Sequence, residues 1–208
     1  MEDNRYSLVI VDVQHDFCDP NGTMFVKGAD KLPQKIIEFI QSHRDKIFEI
    51  IFTLDWHPYT NREFKKNGGK WPVHCLQHSK GASIPDELIN EAINSTSAVS
   101  FLKKGTGDWV EYGAGGRIFK NTSYCKDYDY SSYDISTEIL CSNDGIVSNN
   151  TKFVFCGLCG DYCVMDTIKN FMIVPDFEIA VIPDLVLSID GGTKFNNFIK
   201  ENNIKTIQ

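Results

Sequence analysis

Hydrophobic and polar positions along the chain switch repeatedly between two periods. Residues 6–13 (YSLVIVDV) make a nearly continuous apolar run of strand length, whereas 31–43 place Leu32, Ile36 and Ile40 at helical spacing. The β-rich run 46–54 (KIFEIIFTL) predicts a second strand, and 85–93 a short helix opened by Pro85. The pattern further predicts strands over 96–102, 153–156 and 177–182, and helices over 135–141, 161–171 and 193–202. Strands that are apolar throughout and flanked by helices imply a mainly parallel sheet covered on both faces. The expected fold class is therefore α/β, with three layers in the order α/β/α. Two stretches, 56–83 and 105–133, break the rhythm with Gly, Asn and aromatic residues. In such folds the loops beyond the strand ends collect the functional groups. Neither a repeat nor a linker is visible, so one domain over 1–208 is expected.

Composition narrows this picture. A length of 208 residues suits one α/β domain with a sizeable core. A net charge of -7 argues against a nucleic-acid or anionic-membrane partner. No run approaches the ~20 apolar residues of a membrane span. The start, MEDNRYS, is acidic and polar and does not read as a signal peptide. Seven scattered cysteines do not form a secreted disulfide framework, so free thiols in a reducing cytoplasm are expected.

Candidate chemistry gathers at the ends of the predicted strands. In 152–167 (KFVFCGLCGDYCVMDT) a strand and a tight turn deliver Cys163 to the start of a helix. Unpaired amides and the helix dipole there predict a stabilised thiolate with a lowered pKa. A small buried hydrophobe is the competing reading of the same cysteine. Asp12 ends the first strand among Val and Ile, where a carboxylate needs a cationic or hydrogen-bonding partner. Asp16 reads as a turn cap, and Phe17 as core or pocket wall. Asp55 and His57, two apart in extended chain, point to one side and form half of a site for zinc, iron or manganese. A hydrogen-bonded Asp–His pair is the alternative. His74 is the natural third ligand, with His78 in a more polar context behind it; His15 and His43 read as surface residues. Trp71 lies on a loop, where it either packs down or stacks on a ring. Lys103 and Lys104 leave the third strand on opposite sides, so one of them points into the cleft. A cation beside Asp12 and Cys163 would keep both charged. Cys156 and Cys159 form a C-x-x-C. The absence of a second such pair, and a strand position for Cys156, weigh against zinc-ribbon and redox readings. Cys18, Cys75, Cys125 and Cys141 read as structural.

Taken in order, VDVQHDFCDPNG, TLDWHP, WPVHC, the KG of LKKGTG and GLCGDYCV resemble the isochorismatase-like cysteine hydrolases, specifically their nicotinamidase/pyrazinamidase branch. The resemblance implies the fold of that family and a catalytic triad of Asp12, Lys104 and Cys163. It implies a cis peptide between Leu158 and Cys159, with the amides of Cys159 and Cys163 as oxyanion hole. One divalent metal, zinc first with iron or manganese as alternatives, would sit on Asp55, His57 and His74. Phe17, Trp71 and Tyr112 would wall the pocket for a small-molecule substrate, nicotinamide, converted to nicotinate and ammonia through a thioester. Where many relatives carry a further His four residues beyond His57, this chain has Asn61, with Glu63 nearby. The metal then has three protein ligands plus waters, or recruits one of these two. Homo-oligomers are frequent among such proteins. The alternatives are a relative acting on another small carboxamide or ureido compound, and a non-catalytic binding protein of the same fold.

Overall fold

The computed structural model describes residues 5–96, 98–115, 141–142, 145–146 and 152–208. In chain order the strands are β1 (Tyr6–Val11), β2 (Ile47–Asp55), β3 (Val99–Lys104), β4 (Cys141–Ser142), β5 (Gly145–Ile146), β6 (Lys152–Leu158), β7 (Glu178–Leu187) and β8 (Lys205–Thr206). The α-helices are α1 (His15–Cys18), α2 (Leu32–Ser42), α3 (Asp86–Ser95), α4 (Met165–Phe171) and α5 (Thr193–Glu201). A π-helical turn, Gly160–Val164, leads into α4.

Six strands form one sheet in the order β3-β2-β1-β6-β7-β8, and every pairing is parallel. The β4–β5 pair is a separate antiparallel ribbon. Every residue of β1 is buried, as a central strand requires. Its alternate side chains feed two cores. Leu8 and Ile10 join Ile36 and Ile40 of α2 and Leu88 of α3 on one face. Val9 and Val11 join Ile168 and Phe171 of α4 and Phe195 and Phe198 of α5 on the other. The three-layer α/β/α expectation is thereby met.

The chain runs outward from β1 through β2 to β3, then returns beside β1 with β6 and runs outward the other way. Between β1 and β6 the winding reverses, and ligands in open parallel sheets bind beyond the carboxyl ends of the strands at such a reversal. Close strand packing is needed there. Gly157 in β6 has φ +117°, and a Cβ on it would lie 2.1 Å from the carbonyl oxygen of Val11.

Several boundaries differ from the sequence expectation. The strand expected over 177–182 continues to Leu187 through Pro183, whose missing N–H is tolerated because the β6–β7 register shifts between Phe155 and Gly157. The strand expected over 153–156 runs to Leu158, and the one over 96–102 is Val99–Lys104. The helix expected over 161–171 opens as the π-turn. The helix expected over 135–141 lies outside the described residues except for Cys141, which is in β4; Cys125 lies outside them too. Two short elements, α1 and β8, carry too few residues to show a period.

Candidate active site

Four strand ends supply the reactive side chains. Asp12 follows β1 with φ 50°, a left-handed conformation that Asp tolerates better than most residues. Asp55 ends β2, Lys104 ends β3, and Cys163 lies in the π-turn after β6. Of the two lysines, Lys104 is the inward one, 1% exposed, while Lys103 lies over the ring of Trp56. The Lys104 ammonium sits 2.8 Å from Asp12 Oδ2, touches Asp55 Oδ1, and lies 3.5 Å from Cys163 Sγ. Oxygens of Asp12 and Asp55 and the Cys163 sulfur all fall within 4.8 Å of one another, with this ammonium among them. Thr53 Oγ1 donates to Asp12 Oδ1 at 2.6 Å.

Burial and pairing set the charge states. Burial pushes the Asp12 carboxyl above its usual range; Lys104 opposes this and Asp55 adds to it. Burial would also raise Asp55, but Lys104 and His57 outweigh it and hold that carboxyl well below the ordinary value. Burial alone would lower Lys104, yet Asp12, Asp55 and Cys163 keep it firmly protonated. For Cys163 the sequence expectation is overturned. Burial pushes its thiol well above 9.0, Lys104 opposes, and the carboxylates Asp12 and Asp55 push the same way as burial. Full desolvation of a thiolate beside two carboxylates outweighs one ammonium and the helix-start dipole. Cys163 therefore rests as a thiol, and acting as a nucleophile would require a base.

Beside this triad, Asp55, His57, Glu63 and His74 present one donor atom each, all within 4.8 Å and all buried. His57 Nδ1 is 2.9 Å from the Gly105 carbonyl and His74 Nδ1 2.8 Å from the Pro72 carbonyl. Carbonyls only accept, so both Nδ1 atoms carry the proton and both Nε2 atoms face the cluster. His57 Nε2 and Glu63 Oε1 lie 2.7 Å apart. Neither has a partner with hydrogen-bond geometry. Two buried lone-pair donors aimed at one space, with a second carboxylate and imidazole around it, fit a divalent cation of the zinc, iron or manganese class. Burial alone would lower the His57 pKa, but Asp55 and then Glu63 push it to about 10.

Glu63, rather than Asn61, joins this cluster. The Asn61 amide donates to the carbonyls of Gly107 and Trp109, both at 2.9 Å, and its Oδ1 accepts from the Glu63 amide at 2.9 Å. Asn61 thus shapes the loop that follows Lys104. His78 is outside the cluster, edge-on to Trp56.

The cleft over Cys163 is lined by Phe17, Trp71 and Tyr112 together with Cys159, Tyr162 and Ile189. The peptide between Leu158 and Cys159 is cis. Cys156 and Cys159 are free buried thiols, Cys156 within β6. Asp16 is a structural hub, accepting from the amides of Thr23 and Cys75.

Sequence reasoning missed three contributors. Gln14 is fully buried, its side-chain amide donating to the carbonyls of Asp55 and Ala82 and its oxygen accepting from the Asp55 amide. Its place among polar residues just past β1 gave no distinguishing signal. Thr53 sits opposite Val11 in the β1–β2 register, beside the Asp12 it bonds. Tyr162 precedes the nucleophile candidate and carried no separate mark.

No protein-family model matches the sequence. Nicotinamidase of Saccharomyces cerevisiae is 26% identical over 123 residues, 48% of this chain and 56% of the yeast protein, so that match spans little more than half of the relative. Nicotinamidase of Escherichia coli is 25% identical over 202 residues, 86% of this chain and 81% of that protein. Among solved structures, the pyrazinamidase of Pyrococcus horikoshii in complex with zinc superposes with TM-score 0.68 at 24% identity, covering 98% of this chain and 99% of that one. The yeast nicotinamidase bound to the inhibitor nicotinaldehyde gives TM-score 0.72 at 20% identity, covering 98% and 99%. An isochorismatase-like hydrolase from Alkaliphilus metalliredigens gives 0.65 at 12%, covering 97% and 93%. At these identities the structural likeness establishes the fold, that of the isochorismatase-like hydrolases.

Proposed function

We propose that this chain, which belongs to the nicotinamidase/pyrazinamidase family, hydrolyses nicotinamide to nicotinate and ammonia through a thioester on Cys163. The observation that carries the reading is the Lys104 ammonium, held between Asp12 and Cys163 at the floor of an aromatic-walled cleft beside the Asp55–His57–Glu63–His74 cluster. The yeast relative's structure with nicotinaldehyde supports a pyridine carbonyl compound as ligand.

In this mechanism Phe17, Trp71 and Tyr112 enclose the pyridine ring and present the carboxamide carbon to Cys163. Asp12, made a stronger base than an ordinary carboxylate by its burial, takes the thiol proton as the sulfur–carbon bond forms. Lys104 stays protonated, offsets the charge moving between Asp12 and sulfur, and holds both in place. The amides of Cys159 and Cys163 receive the oxyanion, each such donor contributing roughly 3–4 kcal/mol in comparable sites. Asp12 returns its proton to the amine as the carbon–nitrogen bond breaks, and ammonia leaves. A water that gives its proton to Asp12 then attacks the thioester; nicotinate departs and the thiol is restored. Asp55, His57, Glu63 and His74 would hold a divalent metal, zinc by preference, which when bound would supply Lewis acidity toward the pyridine ring. One hydrolase domain acting in a reducing cytoplasm accords with this chemistry and with the free thiols at Cys18, Cys75, Cys156, Cys159 and Cys163. Among the described residues no helix is long and apolar enough to cross a membrane.

The test is ammonia release from nicotinamide by the purified protein, with and without a chelator. Release that falls on chelation and returns with zinc supports the reading. No release from nicotinamide, with release from another small amide or ureido compound, overturns the substrate assignment.

A further inference from the structure

One wall of the cleft is held by a side chain that touches none of the reacting groups. Tyr162 stands edge-on to Trp71, ring centroids 5.4 Å apart, and is 5.5 Å from the ring of Tyr112. These three rings come from three separate segments: the loop after β2, the stretch after β3 and the π-turn after β6. The Trp71 indole donates to the Tyr112 hydroxyl at 3.2 Å. Across the outside of this group runs Lys70. Its ammonium donates to the Tyr162 hydroxyl at 2.8 Å and lies 4.5 Å from the Trp71 ring centroid and 4.4 Å from that of Tyr162. Lys194, from α5, completes the surroundings of Tyr162, 4.9 Å from its centroid and donating to the Asp161 carbonyl at 3.0 Å.

We propose that Lys70 is a positioning residue: it latches the loop bearing Trp71 and His74 onto the turn bearing Cys163, so that the aromatic wall is set before substrate enters. Lys70 and Tyr162 are 92 residues apart in sequence, so their hydrogen bond ties together segments that chain connectivity leaves independent. Without it, binding has to order Trp71 and Tyr162, and that cost falls on affinity rather than on the chemical step. The inference rests on the amidase reading only for the substrate used to probe it; the latch is a property of the fold.

The experiment compares Lys70→Met, Lys70→Arg, Tyr162→Phe and the Lys70→Met/Tyr162→Phe double variant. An ammonium–hydroxyl bond with its ring contacts corresponds to a KM for nicotinamide raised about 3- to 10-fold in Lys70→Met, with kcat within about twofold of the parent. Lys70→Arg, which keeps a donor and a cation, recovers most of the lost affinity. The double variant is no worse than the poorer single one, because both remove the same contact. Effects that simply add, or a KM unchanged in Lys70→Met, overturn the proposal. Hydrogen exchange of the backbone amides over 65–74 is read alongside, on ligand-free protein. It rises equally in Lys70→Met and Tyr162→Phe if the latch exists, and unchanged exchange overturns it. A parent protein that releases no ammonia from nicotinamide sinks the amidase reading while the exchange measurement still decides the latch.

Discussion

The Lys104 ammonium lies 3.5 Å from the sulfur of Cys163, although the two residues are 59 positions apart. Its other contacts are the carboxylates of Asp12 and Asp55. The cation therefore answers two buried anions and a thiol at once, and each member of the group depends on the others for its protonation state.

Replacing Cys163 by Ala should abolish ammonia release while leaving ligand binding nearly intact, since in the proposed mechanism the sulfur forms the covalent bond and other groups hold the ring. Turnover assays paired with nicotinate binding by calorimetry check this. Residual hydrolysis above a few per cent would remove Cys163 as nucleophile.

The thiol of Cys163 is held well above 9.0, chiefly by burial. For a group that loses a proton to react, the reactive form then grows about tenfold per pH unit up to its raised pKa. Alkylation of Cys163 by iodoacetamide in the substrate-free protein should accordingly keep climbing from pH 7 through pH 9. A plateau below pH 8 would mean a depressed pKa, the behaviour expected from the helix start alone.

Lys104→Met keeps most of the side-chain volume but leaves Asp12 and Asp55 facing each other without a cation. Loss of one partner from a buried ion pair typically costs about 3–5 kcal/mol. Denaturant unfolding should show a loss of that size at neutral pH, and activity should vanish. A loss below about 1 kcal/mol would show that the carboxylates find another counter-charge.

Glu63→Gln should lower zinc affinity by at least about 100-fold, beyond the 10–100-fold typical of an orienting partner, because it removes the negative charge of the carboxylate that faces His57 Nε2 at 2.7 Å. His57→Ala should empty the site. His78→Ala should leave metal content unchanged, since its ring packs on Trp56. Metal analysis after dialysis distinguishes the three, and full zinc in Glu63→Gln would return Glu63 to a structural role.

Much of the site was legible along the chain because short-range rules place it. Apolar runs locate β1, β2 and β6, and a polar residue at the end of such a run has to face the cleft. Asp12 and Asp55 are found this way, Cys163 by its place at a helix start after the strand and turn, and a two-residue spacing puts His57 beside Asp55. Lys104 was narrower: strand alternation required one of two lysines to point inward, and only packing identified it. Boundaries failed where tertiary contacts override local signals, as at Pro183, just past the strand expected over 177–182, which sits in a register shift opposite β6.

By itself the sequence determined the periodicities, hence a parallel sheet with helices on both faces, and the residue types waiting at its strand ends. Tertiary structure alone decided which of those groups meet and what charge they carry. Glu63 rather than Asn61 joins the buried Asp55–His57–His74 cluster because the loop carbonyls of Gly107 and Trp109 capture the Asn61 amide. Cys163 is a thiol rather than a thiolate because burial beside two carboxylates outweighs the local dipole. Protonation depends on solvation and on charges brought near from distant segments, and neither is a property of neighbouring residues in the chain.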